Sequence, residues 1–139
     1  MDTFGTHLLA EMYGCDREAL ASIEIVRSAL MEAAAFSGNT VLAEHFVELQ
    51  PGISGAVIIS ESHLSVHTWP EERYASVDIY TCHKNSNTLA ALNLISDYFA
   101  PVSREVLFIY RGLSNGLMIK KIESRDKPTK SPFESELLK

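Results

Sequence analysis

The stretch Ser60-Glu61-Ser62-His63-Leu64-Ser65-Val66-His67-Thr68-Trp69-Pro70-Glu71, followed shortly by Asp78-Ile79-Tyr80-Thr81-Cys82, gathers hydroxyls, imidazoles, carboxylates and a thiol. These are the groups of nucleophilic and acid–base chemistry. An imidazole with an unperturbed pKa of about 6.5 is largely neutral at cellular pH and can take up a proton. A thiol with a reference value of about 8.5 carries a proton yet gives it up readily. Each residue alone has a plainer reading. A serine between two strands is a turn residue, histidines on a polar strand face are solvated, and a lone cysteine is a small buried hydrophobe, which is the reading for Cys15. Trp69 before Pro70 could be core packing, and Glu71-Glu72 a solvated turn. A metal site is not expected. On a strand rising about 3.3 Å per residue, His63 and His67 stand about 13 Å apart, too far to chelate one ion.

The elements that must position these groups follow from periodicity. The segment 63–68 alternates strictly, with Leu64 and Val66 on one face and His63, Ser65 and His67 on the other, and Pro70 ends it. The apolar run 56–59 before it predicts a central strand, and 74–82 after it a second alternating one. Residues 7–13 and 40–49 are also read as extended, and 106–110 as the last clear strand. Asp16 is a good helix N-cap, and Leu20, Ile23, Val26, Leu30 and Ala34 predict one amphipathic helix closed by Gly38. Asn87 caps a second helix whose stripe Leu89, Leu92, Ile95 and Phe99 ends at Pro101. The expectation is an α+β two-layer sandwich: a mainly antiparallel sheet with two α-helices packed on one face. Residues 1–122 form one domain and 123–139 a mobile tail with Lys127-Pro128 and Ser131-Pro132.

Bulk properties narrow the function. With 139 residues, 46% hydrophobic and 22% charged, the chain suits one globular domain, and no apolar run approaches the roughly 20 residues of a membrane helix. A net charge of -6 argues against a nucleic-acid partner. The start Met1-Asp2-Thr3-Phe4-Gly5 has no basic, apolar leader, and Cys15 and Cys82 are too few for a disulfide framework, so a cytoplasmic protein with free thiols is expected.

The long run through Ser62 and Glu71, together with Gly52-Ile53-Ser54-Gly55 and Asp78-Ile79-Tyr80-Thr81-Cys82, resembles the signature of the small bacterial and archaeal S-adenosylmethionine decarboxylases. The similarity continues in pieces from Gly5-Thr6-His7-Leu8 and Tyr13-Gly14-Cys15-Asp16 to Arg111-Gly112. The resemblance implies a proenzyme that cuts itself between Glu61 and Ser62, giving residues 1–61 and 62–139. In a tight, strained connection the Ser62 hydroxyl could attack the Glu61 carbonyl, an N-to-O acyl shift. Loss of the Cα proton would then leave a dehydroalanine that hydrolyses to a covalent pyruvoyl cofactor. By resemblance His67 is the processing base, Ser54 holds the processing intermediate, and Cys82 is the proton donor. The pyruvoyl group at Ser62 would form a Schiff base with the substrate amine and act as an electron sink. Trp69 would stack on the adenine and Glu71 would bind the ribose hydroxyls. A homodimer of cleaved subunits, with sites near the interface, is implied as well.

Two departures from the family pattern matter. Where the family has a phenylalanine as the second face of the adenine sandwich, this chain has Glu48, and Phe46 would replace it only through a bulge or slip. A carboxylate facing the pocket would suit a basic amino acid, so the same scaffold decarboxylating ornithine or arginine is an alternative. His83 stands where a glycine is usual. A non-catalytic regulatory homologue is the remaining reading, and the presence of Ser62, His67 and Cys82 speaks against it.

Overall fold

A computed structural model describes residues 3–38, 40–82 and 87–123, with the side chains of 121–123 left aside. Its strands are β1 (Gly5–Tyr13), β2 (Thr40–Glu48), β3 (Ile53–Ser60), β4 (Ser62–Trp69), β5 (Tyr74–Thr81), β6 (Ser103–Arg111) and β7 (Met118–Glu123). All adjacent strands pair antiparallel in one sheet of order β2-β3-β4-β5-β1-β6-β7. The helices α1 (Arg17–Ala21), α2 (Ile23–Phe36) and α3 (Thr88–Phe99) cover one sheet face. The expected α+β two-layer sandwich is what forms.

Period-two alternation decides which side chains enter the core. Leu8, Met12, Leu64, Val66, Val77 and Ile79 face the helices and are buried against Leu30, Leu92, Ile95 and Phe99. Fully burying each such side chain stabilises the fold by about 1.5–3 kcal/mol. The intervening residues make a second face that no helix covers among the described residues, and it mixes polar groups with apolar ones such as Leu9, Ile58 and Trp69. The run 56–59 is interior but second from one edge, and only one of its faces is covered: Val57 and Ile59 are buried while Ile58 is 46% exposed.

Three features differ from the sequence expectation. The single helix expected from Asp16 to Gly38 is broken at Ser22, which closes α1 and opens α2 by accepting the Ile25 N–H on its Oγ at 3.2 Å. A serine competes in this way with the helical ladder, so apolar spacing carried across the break. Gly38 does follow the α2 C-cap Ser37, with φ +81. The second difference is β7, which continues beyond the strand read as last. It is an edge strand whose described side chains, Met118, Ile119 and Lys120, are all exposed, so no buried position among them betrays it. The tail expected from Glu123 lies outside the described residues except for Glu123 itself, which ends β7. Third, the helices number three among the described residues, because of the break.

One junction sets the register that the site depends on. Thr68, buried in β4, accepts the Ile53 N–H on Oγ1 at 2.8 Å and donates to the Leu20 carbonyl at 2.7 Å. Gly52 lies against the Thr68 carbonyl, where a Cβ would collide with backbone. Locking Ile53 to Thr68 in this way brings Ser54 opposite His67.

Candidate active site

Strands β3 and β4 are joined with almost no slack. Ile59 pairs with Ser62, leaving only Ser60 and Glu61 to turn the chain. Ser62 leaves the turn with φ +119, a conformation that residues bearing a Cβ rarely adopt and that costs on the order of 1–3 kcal/mol. Its neighbour across β5 is Thr81, and the next residue, Cys82, brings its Sγ to 3.4 Å from Ser62 Oγ. A hydroxyl on a strained backbone and a half-buried thiol therefore meet at one end of β4. Glu61 is exposed in the turn. His83 lies outside the described residues.

The other end of β4 holds a second group. Ser54 Oγ lies 2.8 Å from His67 Nδ1, and both face away from the helices. Trp69, 41% exposed, stacks on Tyr74 at 5.2 Å between ring centroids, and Tyr74 stacks in turn on Tyr13 at 5.7 Å. The Tyr74 hydroxyl donates to Glu11, whose carboxyl is raised above the ordinary range by burial, with Tyr74 pulling it down and Glu105 pushing it up. Glu71 is exposed on a one-turn 3-10 helix, Pro70–Glu72, which follows β4.

The two groups do not meet within one chain. Five steps along an extended strand separate Ser62 from His67, about 16 Å at the usual rise. Glu48 and Phe46 are not brought to this face at all. Glu48 pairs with Ile53 and Phe46 with Gly55, both on the helix side, and the Phe46 ring fills the space where a Gly55 side chain would stand. A register shift between Val41 and Ala43 precedes them in β2, and the side chains of His45 and Val47 fall on the open face instead.

Residues that motif reasoning passed over occupy the middle of the open face. Asp78 accepts from His63 Nε2 at 2.9 Å and from Ser65 Oγ at 2.6 Å. His7 Nε2 is buried and makes only a long, poorly angled contact of 3.4 Å to the same carboxylate. The donor atoms of His7, His63 and Asp78 lie within 4.8 Å of one another, close enough to suggest a cation site. Arg111 speaks against one. Its guanidinium can only donate, so at 3.3 Å from His7 Nδ1 it makes that nitrogen the acceptor and leaves the ring proton on Nε2, on the side of Asp78. Burial chiefly lowers the His7 pKa, with Arg111 and His63 adding to it and Asp78 opposing, which keeps the ring neutral. A period of two puts Asp78 and Tyr80 on one face of β5, with Cys82 next in that series. Their strand neighbours His7 and His63 come from register, which sequence spacing does not reveal.

A family model described as S-adenosylmethionine decarboxylase matches residues 6–112. The chain belongs to the S-adenosylmethionine decarboxylase family. Among the family's curated members, the S-adenosylmethionine decarboxylase proenzyme of Geobacillus sp. (strain WCH70) is 43% identical over 114 residues, 81% of this chain and 91% of that one. The proenzyme of Pyrococcus horikoshii is 40% identical, covering 81% and 82% respectively. The crystal structure of the adenosylmethionine decarboxylase from Aquifex aeolicus VF5 superimposes with a TM-score of 0.75 at 30% identity, covering 92% of this chain and all of that one. A Trypanosoma brucei AdoMetDC monomer shares the fold at TM-score 0.57 and 22% identity, over 75% of this chain and 45% of its own. Among the described residues, no helix is long and apolar enough to cross a membrane.

Proposed function

We propose that this chain is a self-cleaving decarboxylase of S-adenosylmethionine, making the aminopropyl donor for spermidine synthesis. It works in the cytoplasm as a homodimer, with a pyruvoyl group formed from Ser62. The observation that carries this reading is the Ser62 hydroxyl, on a backbone of φ +119 and 3.4 Å from a thiol, in a chain whose relatives are named proenzymes. These surroundings fit the group, since the turn favours rearrangement at Ser62 and Cys82 stands beside its side chain.

Cleavage begins with attack of the Ser62 hydroxyl on the Glu61 carbonyl, which exchanges the amide for an ester and relieves the backbone at Ser62. A base then takes the Cα proton of residue 62 and the Glu61 carboxylate leaves. The resulting dehydroalanine takes up water and loses ammonia. His67, paired with Ser54, is the base, and the strand spacing supports its serving the partner protomer. At about 16 Å it cannot serve its own Ser62, so the Ser54–His67 pair of one protomer serves Ser62 of the other. The active site is thus assembled at the dimer interface.

The pyruvoyl group supplies an electron sink for the electrons released as carbon dioxide leaves. Cys82 holds the proton that the substrate carbon then receives. Trp69, backed by Tyr74, offers an aromatic face to the adenine, and the exposed Glu71 carboxylate accepts the ribose hydroxyls. A basic amino-acid substrate rests on Glu48, and on the helix side of β2 that residue lends it no support. The deciding experiment measures carbon dioxide release by self-cleaved protein given S-adenosylmethionine, ornithine or arginine. Release from S-adenosylmethionine alone is expected. Release from ornithine or arginine instead would overturn the substrate assignment.

A further inference from the structure

Tyr80 has no part in the steps above, yet its ring is held from several sides. It pairs across the sheet with His7 on one flank and His63 on the other, with ring centroids 5.2 and 5.9 Å away. Beneath it lies Gly5. A Cβ at that position would stand 2.6 Å from Tyr80 Cε1 and 2.8 Å from its hydroxyl, so the outer end of the phenol occupies the space the glycine leaves. Arg111, the β6 partner of Gly5, closes the same gap from the far side, with its guanidinium carbon 4.4 Å from the Tyr80 ring centroid. Arg111 is itself fixed by donating to His7. The hydroxyl so confined lies on the side of Cys82: Thr6 pairs with Thr81, so Gly5, over which the hydroxyl sits, and Cys82 are the next positions along the two strands, on the same face as Tyr80.

We infer that Tyr80 is a positioning residue for the proton donor: its O–H donates to Cys82 Sγ, which leaves the Cys82 S–H directed at the side chain of residue 62. The direction follows from donor strength, since a phenol is a good donor and a thiol a weak one. Burial, and then the contact with Cys82, push the Tyr80 pKa up while Arg111 pulls it down, so the phenol keeps its proton at neutral pH. Once the thiol proton has passed to the substrate carbon, the same O–H stabilises the thiolate until solvent reprotonates it. The inference rests on Cys82 as the proton donor, but its effect on the thiol can be read without turnover.

Tyr80→Phe keeps the ring and removes the hydroxyl, while Gly5→Ala keeps the hydroxyl and displaces it. In each, alkylation of Cys82 by iodoacetamide at pH 7, followed by mass spectrometry, is expected to slow about three- to tenfold, the value of one hydrogen bond. Cys15, fully buried, is the unreacted internal control. With S-adenosylmethionine, kcat falls by the same factor and KM is unchanged. The combined variant is no slower in alkylation than Tyr80→Phe alone, because both changes remove one interaction. An unchanged alkylation rate in Tyr80→Phe overturns the inference whatever happens to kcat, as do losses that multiply in the combined variant. A protein that decarboxylates none of the three substrates but shows the alkylation pattern would refute the proposed function and leave the Tyr80–Cys82 link standing.

Discussion

The two ends of β4 carry the same kinds of groups in opposite conditions. At its start, Ser62 has a strained backbone and a half-buried thiol beside it. At its end, Ser54, His67 and Trp69 sit on regular, antiparallel strand, with His67 and Trp69 open to approach. Under the proposed function, one end stores the strain on which cleavage draws, and the other offers preformed groups to something that arrives. On that reading the contrast accounts for residues spaced too far apart on one strand belonging to one reaction: each chain would hold two halves of different sites.

The sharpest test of that division is the strained end. Ser62→Ala should abolish cleavage and carbon dioxide release together, leaving one species of full-length mass under denaturing conditions. Nearly as large is the effect expected of His67→Ala, which alone should remain uncut. Co-expressed with a differently tagged Ser62→Ala chain, the His67→Ala chain should be cut, because its partner supplies the missing imidazole. Continued silence in the mixed dimer would mean that base and serine belong to one chain after all. Trp69→Ala removes an aromatic face and should raise KM for S-adenosylmethionine about tenfold with little change in cleavage, read from steady-state kinetics.

The smallest effect concerns Glu11, beneath the tyrosine stack. Its carboxyl pKa is raised in the folded state, chiefly by burial, so the folded protein binds that proton more tightly than the unfolded chain does. Stability is therefore full below the unfolded carboxyl pKa and is lost as pH rises through the folded one. Glu11→Gln keeps an acceptor for Tyr74 and should raise the thermal midpoint by about 2 °C at pH 7. The gain should vanish in calorimetry below about pH 4.

Much of this arrangement was legible in the sequence wherever the signal is local. The alternation from His63 to Thr68 gave the two faces of β4 correctly, and Asn87 does cap α3, accepting the Ala90 N–H at 3.0 Å. What eluded it depends on partners distant in the chain. Ser22 looked like a polar position within a helix because spacing is blind to a capping hydroxyl. In strand β7 the described side chains, Met118, Ile119 and Lys120, are all exposed, so they produce no alternation. The sides taken by Phe46 and Glu48 follow from pairing with β3 after a register shift near Leu42, and the meeting of His7, Tyr80 and Arg111 follows from β1 lying between β5 and β6. The motif residues were identifiable by type and order, but not which of them stand together.

The sheet order has a consequence for what a cut at Ser62 does to the molecule. The piece 1–61 contributes β1, β2 and β3, and the piece 62–139 contributes β4 through β7. In space they interleave: β3 lies against β4, and β1 is threaded between β5 and β6. Parting the two pieces would mean tearing open three hydrogen-bonded ladders and the core beneath them. Scission of the backbone there would therefore be a chemical event with almost no mechanical one attached, and the severed halves would remain woven into a single body.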